Sequence, residues 1–131
     1  MSERPHAHRG WGWARLRCFV DAAAGLRAVF TTQANAKIHA VATVVVVGAG
    51  FFFALRPVEW ALAALAIALV WAAEAVNTAI EAVVDLASPE RHPLAGRAKD
   101  AAAGAVLVAA GGAALIGVLV FGPKIVAWFP G

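Results

Sequence analysis

Charge is scarce in this 131-residue chain, and cysteine is almost absent. Only 15 % of the residues are charged and 62 % are hydrophobic, where ordinary globular domains are about a quarter charged and roughly half apolar. One soluble core of this length cannot cover that much apolar surface, so most soluble classes are excluded and the chain belongs in a bilayer. The lone Cys18 excludes an internal disulfide framework and a cysteine-only zinc site. A removable signal peptide is also not expected, because Arg and Asp interrupt any apolar run near the N-terminus. The formal net charge of +3 does not argue for nucleic acid. The cations gather near the N-terminus and in one loop instead of forming a dense stripe, which points to membrane phosphates.

What is abundant is uncharged apolar sequence, in three runs long enough to cross about 30 Å of hydrocarbon. The first covers Ile38–Leu55, with His39 near one end, and Arg56-Pro57 is expected to stop it. The second is apolar from Trp60 to Ala73 and continues in helix-forming residues past Glu74, Glu81 and Asp85, so it should protrude from the membrane as one long helix. The third runs from Ala101 to Pro123, where Pro123-Lys124 should mark its far end; Gly104, Gly111, Gly112 and Gly117 suit close helix contact. Ahead of these, Trp13, Leu16, Phe19, Val20, Ala23 and Ala24 share one side of a helical wheel, the pattern of a helix lying in the membrane interface. Trp11, Trp13, Trp60 and Trp128 sit where interfacial anchors would, and Trp71 lies deeper, as packing or lipid contact.

Lys and Arg divide nine to two across the spans: Arg4, Arg9, Arg15, Arg17, Arg27, Lys37, Arg91, Arg97 and Lys99 against Arg56 and Lys124. The N-terminus and the Ser88–Asp100 loop should therefore be cytoplasmic and the C-terminus outside.

The few acids carry the information. In Glu74-x-x-Asn77-Thr78-x-x-Glu81-x-x-x-Asp85 the polar residues fall within roughly 100° of helical arc. Carboxylates near hydrocarbon are costly and repel one another unless a cation or donor lies between them, so the stripe suits a divalent metal or proton handling. Glu81 and Asp85 are about 6 Å apart along the axis, close enough to share a Mg²⁺ site. Glu74 lies about 10 Å deeper than Glu81, where desolvation suits it to accepting a proton from a lipid hydroxyl. The competing reading is a set of solvated or paired surface carboxylates, strongest for Asp85 beside the loop. In that loop, Lys99 can contact phosphates, Arg91 and Arg97 phosphates or headgroups, and Asp100 can hold metal or orient Lys99. Without the adjacent stripe it would read as a positive-inside anchor. Neither a Gly-x-x-x-x-Gly-Lys-Ser/Thr loop nor the glycine-rich loop of protein kinases is present, so a nucleotide site must be built differently.

Glu74-Ala-Val-Asn-Thr-Ala-Ile-Glu-Ala-Val-Val-Asp85, followed by His92-Pro-Leu-Ala-Gly-Arg-Ala-Lys-Asp100, resembles the signature of the bacterial diacylglycerol kinase family, which includes undecaprenol kinases. Gly25-Leu-Arg-Ala28 and Asn35-Ala-Lys-Ile-His39 extend the resemblance, which covers most of Trp13 to Phe121. It implies an all-α integral membrane protein of the bacterial inner membrane, with three transmembrane helices and an interfacial amphipathic helix, assembled as a homotrimer with sites between subunits. The chain then divides into a basic tail (1–12), the interfacial helix (13–35), the three-helix kinase domain (36–123) and a C-terminal tail (124–131).

The implied activity is transfer of the γ-phosphate of MgATP to a membrane lipid alcohol, with diacylglycerol giving phosphatidic acid as the first expectation and undecaprenol as the alternative. Neither nucleic acid nor a protein partner is implied. By position, Glu74 matches the proton acceptor and Glu81 a metal and nucleotide ligand. Asn77 and Asp85 match polar residues of the same site. Glu90, Arg91 and His92, with Lys99 and Asp100, match the ATP-contacting segment, and Arg27 falls in a stretch contributing to the lipid site. Gln33 stands where the best-known members have a second metal-coordinating glutamate, and its amide offers Mg²⁺ an oxygen without charge. The position of a nucleotide-contacting basic residue is held by Ala14, with Arg15 and Arg17 nearby. A rival from another class is a proton- or cation-conducting oligomer, which also uses membrane carboxylates beside small residues.

Overall fold

The computed structural model describes the backbone of residues 11–32 and 34–129, and side chains at 17–31 and 35–129. Four helices follow one another: α1 (Trp11–Thr32), α2 (Ala34–Phe52), α3 (Pro57–Ala87) and α4 (Pro93–Trp128). The last three are long and apolar enough to cross a membrane. Packing is most extensive between α3 and α4; α2 lies against α3, and α1 touches both. The α3–α4 seam is made of small residues, Ala63, Ala66, Ala102 and Ala109 with Val70, Val106 and Val120, which let the two backbones approach closely. Most large side chains point outward, including Leu65, Leu107, Val118 and Leu119, as suits contact with lipid or with neighbouring subunits.

The helix ends have local causes, and three differ from the sequence expectation. α2 stops at Phe52, ahead of Arg56-Pro57. Leu55 N–H donates to Gly50 O (3.0 Å) and Ala54 N–H to Phe51 O (3.2 Å), with Ala54 at φ 47°. This is a Schellman end with alanine in the left-handed position that usually takes glycine, followed by a buried Leu55. Arg56 and Pro57 act instead as the start of α3, where Arg56 N–H donates to the Glu59 carboxylate at 2.7 Å and Pro57 fills the first helical position.

Much of the Ser88–Asp100 stretch read as loop is helix. His92 caps α4, its Nδ1 accepting from Leu94 N–H at 3.2 Å, and Pro93 starts the helix, so Lys99 and Asp100 sit on its second turn.

At the other end α4 continues through Pro123 to Trp128. Proline is tolerated within membrane helices; beside it Lys124 reaches Glu59 at 3.1 Å, and Arg56 holds the same carboxylate at 3.2 Å. Rings of Phe52, Phe53, Phe121 and Trp128 cluster at that end. Trp60 packs on Phe51 and covers Gly50, where a Cβ would fall 2.6 Å from its ring. The close contacts expected at Gly104, Gly111, Gly112 and Gly117 are not made within the chain: a Cβ at any of them would meet nothing within 4 Å.

Candidate active site

The buried face of α3 runs through Ala63, Ala66, Val70, Glu74 and Asn77, so the same stripe that packs the helix also carries the first two polar residues inward. Glu74 is 0 % exposed, and neither carboxylate oxygen has a hydrogen-bond partner among the described residues. Burying such a group unsatisfied is expensive, and sites of function are where that cost is tolerated. Its backbone carbonyl accepts from Thr78 Oγ1 at 2.9 Å, which holds the following turn. One turn on, Asn77 Nδ2 donates to Glu81 Oε1 at 3.1 Å, leaving Asn77 Oδ1 buried and unpaired among the described residues.

Glu74, Asn77 and Glu81 line a cavity of about 310 Å³, closed on one side by Asn35, Ile38 and His39 of α2 and on the other by α4. Asp85 lies beyond it, on a second cavity of about 470 Å³ at the α3–α4 turn, together with Glu90, Arg91, His92 and Lys99. Lys99 Nζ meets Asp85 Oδ1 at 2.5 Å, so the partner expected of Lys99 in Asp100 is Asp85 instead. Asp100 is exposed and lines neither cavity, and the same holds for Arg27 on α1. The structure thus divides the acidic stripe, with Glu74, Asn77 and Glu81 facing inward and Asp85 grouped with the basic turn. Gln33, Ala14 and Arg15 lie outside the described side chains.

The described residues contain no group of three His, Cys, Asp or Glu side chains poised to hold a metal. That is compatible with Mg²⁺, which is usually held by one or two carboxylates plus substrate phosphates and not by an all-protein cage. The Glu81 carboxylate and Asn77 Oδ1, the latter unpaired among the described residues, are two hard oxygens side by side in this cavity.

Two further residues contribute to this region: Asn35, from the motif that extends the resemblance, and His39, whose place at the mouth of the first span suits a structural role, capping a polar gap, ahead of contact with a headgroup. Asn35 and His39, four apart on α2, share the face that closes the Glu74 cavity. Their spacing was the available signal. Trp71, read as packing or lipid contact, ties three helices: its ring lies 4.4 Å from Phe30 of α1, and its Nε1–H donates to Thr43 Oγ1 of α2 at 3.1 Å.

The sequence profile of the prokaryotic diacylglycerol kinases matches residues 20–121, which includes every described wall of both cavities. The chain belongs to that family. It is 43 % identical over 110 residues to undecaprenol kinase from Bacillus subtilis, covering 84 % of this chain and 89 % of that protein. Diacylglycerol kinase from Synechocystis is 40 % identical over 119 residues, covering 88 % and 68 %. Diacylglycerol kinase from Escherichia coli K12 is 38 % identical over 85 residues, covering 65 % and 70 %. This diacylglycerol kinase family member is therefore a membrane protein and a lipid kinase, with a lipid and a nucleotide phosphate donor as its substrates.

Proposed function

We propose that this kinase transfers the γ-phosphate of MgATP to the hydroxyl of a membrane lipid at the cytoplasmic face of the inner membrane, with diacylglycerol as substrate. The observation that carries the reading is the fully buried Glu74 carboxylate, unpartnered among the described residues, lining one cavity with Asn77 and Glu81. Glu74 holds the lipid hydroxyl and accepts its proton as the oxygen attacks phosphorus. Asn77 keeps the Glu81 carboxylate turned into the cavity. Mg²⁺ held by Glu81, with Gln33 as a further oxygen donor, neutralises phosphate charge when bound. Glu90, Arg91, His92 and Lys99 place the nucleotide in the larger cavity, with Lys99 exchanging Asp85 for phosphate and Asp85 and Asp100 completing the polar surround. Arg27 belongs to the lipid side on α1.

The nine-to-two division of cations supports a cytoplasmic N-terminus and an outer C-terminus. Exposed Phe19 and Val20 support an interfacial role for α1. The open space at Gly104, Gly111, Gly112 and Gly117 supports close packing against other subunits, and we assign the assembly as a homotrimer.

Undecaprenol is the second reading, favoured by a match that extends over 89 % of the Bacillus subtilis undecaprenol kinase. Purified protein in lipid, given MgATP and each lipid separately, decides between them. Phosphatidic acid formation at the higher kcat/KM supports the first reading and undecaprenyl phosphate the second. Failure to phosphorylate either lipid overturns both.

A further inference from the structure

A third cavity, of about 250 Å³, lies deeper between α2, α3 and α4 and is walled almost wholly by apolar side chains such as Ala63, Val70 and Phe121. It shares two residues with the Glu74 cavity, Ala110 and His39. Ala110 offers no polar side-chain atom, so His39 is the polar side chain common to a space for a hydroxyl and a space for a hydrocarbon chain. Its position is fixed locally. The His39 carbonyl accepts from Thr43 Oγ1 at 2.7 Å, that hydroxyl accepts from Trp71 Nε1–H at 3.1 Å, and the imidazole meets the Trp71 ring edge to face at 6.3 Å. The hydrogen bond uses the backbone of His39, the ring contact is aromatic, and the ring nitrogens make no hydrogen bond among the described residues.

We infer that His39 is a substrate-binding residue that donates a hydrogen bond to the oxygen of the lipid hydroxyl while that hydroxyl donates to Glu74. The inference rests on the lipid-alcohol reading of the site. A hydroxyl has one proton to give and lone pairs to receive. Glu74 takes the first and an imidazole N–H occupies one of the second, which leaves the remaining lone pair directed at phosphorus. The hydrocarbon chain of the lipid runs from this point into the deeper apolar cavity. His39 is half-buried at this boundary, and the bond is made beside a cavity walled by apolar side chains, where the alternative partner, water, is scarce.

The test compares H39F, which keeps a ring against Trp71 but removes the N–H, with H39Q, which keeps a donor. Both are assayed as intact protein in mixed micelles with the lipid that the wild type phosphorylates, varying lipid and MgATP separately. The H39F apparent KM for lipid is expected to rise about tenfold, with the KM for MgATP changed less than twofold and H39Q recovering most of the loss. An unchanged lipid KM in H39F, a parallel rise in both KM values, or equal impairment of H39F and H39Q would each overturn the inference. A wild-type protein inactive on both lipids would instead remove the underlying reading. Melting in detergent separates misfolding from lost binding, and H39Q supplies the comparison if H39F is unstable.

Discussion

Asn77 donates its side-chain amide to Glu81 one turn further along α3, at 3.1 Å, and so joins the buried part of the acidic stripe to its partly exposed part. The contact fixes one oxygen of a carboxylate that lines the cavity. Replacing Asn77 with Ala is expected to weaken the Mg²⁺ requirement's half-saturation about 10- to 100-fold, as loss of a ligand-orienting partner commonly does. Activity measured across a Mg²⁺ titration checks this. An unshifted titration curve would count against Glu81 as the metal ligand.

Glu74→Gln keeps the shape of the buried side chain and removes its ability to accept a proton. Turnover is expected to fall about 10²- to 10⁴-fold, while nucleotide binding and the melting temperature hold or rise. The last follows because a buried carboxyl group without partners costs stability. Calorimetry and turnover on one preparation provide the check, and near-normal turnover would remove Glu74 from the proton-accepting role.

Lys99 and Asp85 form an ion pair whose side chains are 36 % and 66 % exposed. Pairs in such a setting contribute roughly 0–1 kcal/mol. Lys99→Met should therefore leave the unfolding free energy within about 1 kcal/mol of wild type and yet raise the KM for MgATP or lower turnover at least tenfold if Lys99 neutralises phosphate. Asp85→Asn, which releases Lys99, should damage nucleotide affinity less than Lys99→Met does. The reverse ranking would place Asp85, not Lys99, on the nucleotide.

Ala54 adopts φ 47° at the end of α2, a conformation that costs a residue with a Cβ about 1 kcal/mol. Ala54→Gly is expected to stabilise the protein, offset in part by the greater freedom of unfolded glycine, for a net gain of up to about 1 kcal/mol. Thermal melting in detergent measures it. The neighbouring Gly50→Val should do the opposite, since a Cβ there meets the Trp60 ring at 2.6 Å.

The three membrane-spanning segments and the inward-facing stripe were legible because each depends on one helix alone: run length, and the 100° step that lines up Glu74, Asn77 and Glu81. Family membership was legible in the motif spanning Glu74 to Asp100. The start of α4 was masked by its charges, although His92-Pro93 is a cap followed by a first-turn proline. The end of α2 was missed because nothing in the identity of Ala54 announces a left-handed residue. The separation of Asp85 from Glu81 was beyond reach because it depends on where α4 lies against α3, and that is set by the alanine seam and the short turn at 88–92.

α3 and α4 are joined by ion pairs at both extremities, Glu59 with Lys124 and Asp85 with Lys99. Glu59 and Asp85 are about 39 Å apart along the helix axis, and the small-residue seam fills the distance between them. The two helices thus form a single beam, cross-tied at each end, with Glu74 set into it. Sliding or rolling one against the other would have to break the small-residue seam, a larger obstacle than the exposed Asp85–Lys99 pair. The contacts of α2 and α1 with this beam are sparser, and Trp71 gathers them at one point, where it meets Phe30 of α1 and Thr43 of α2.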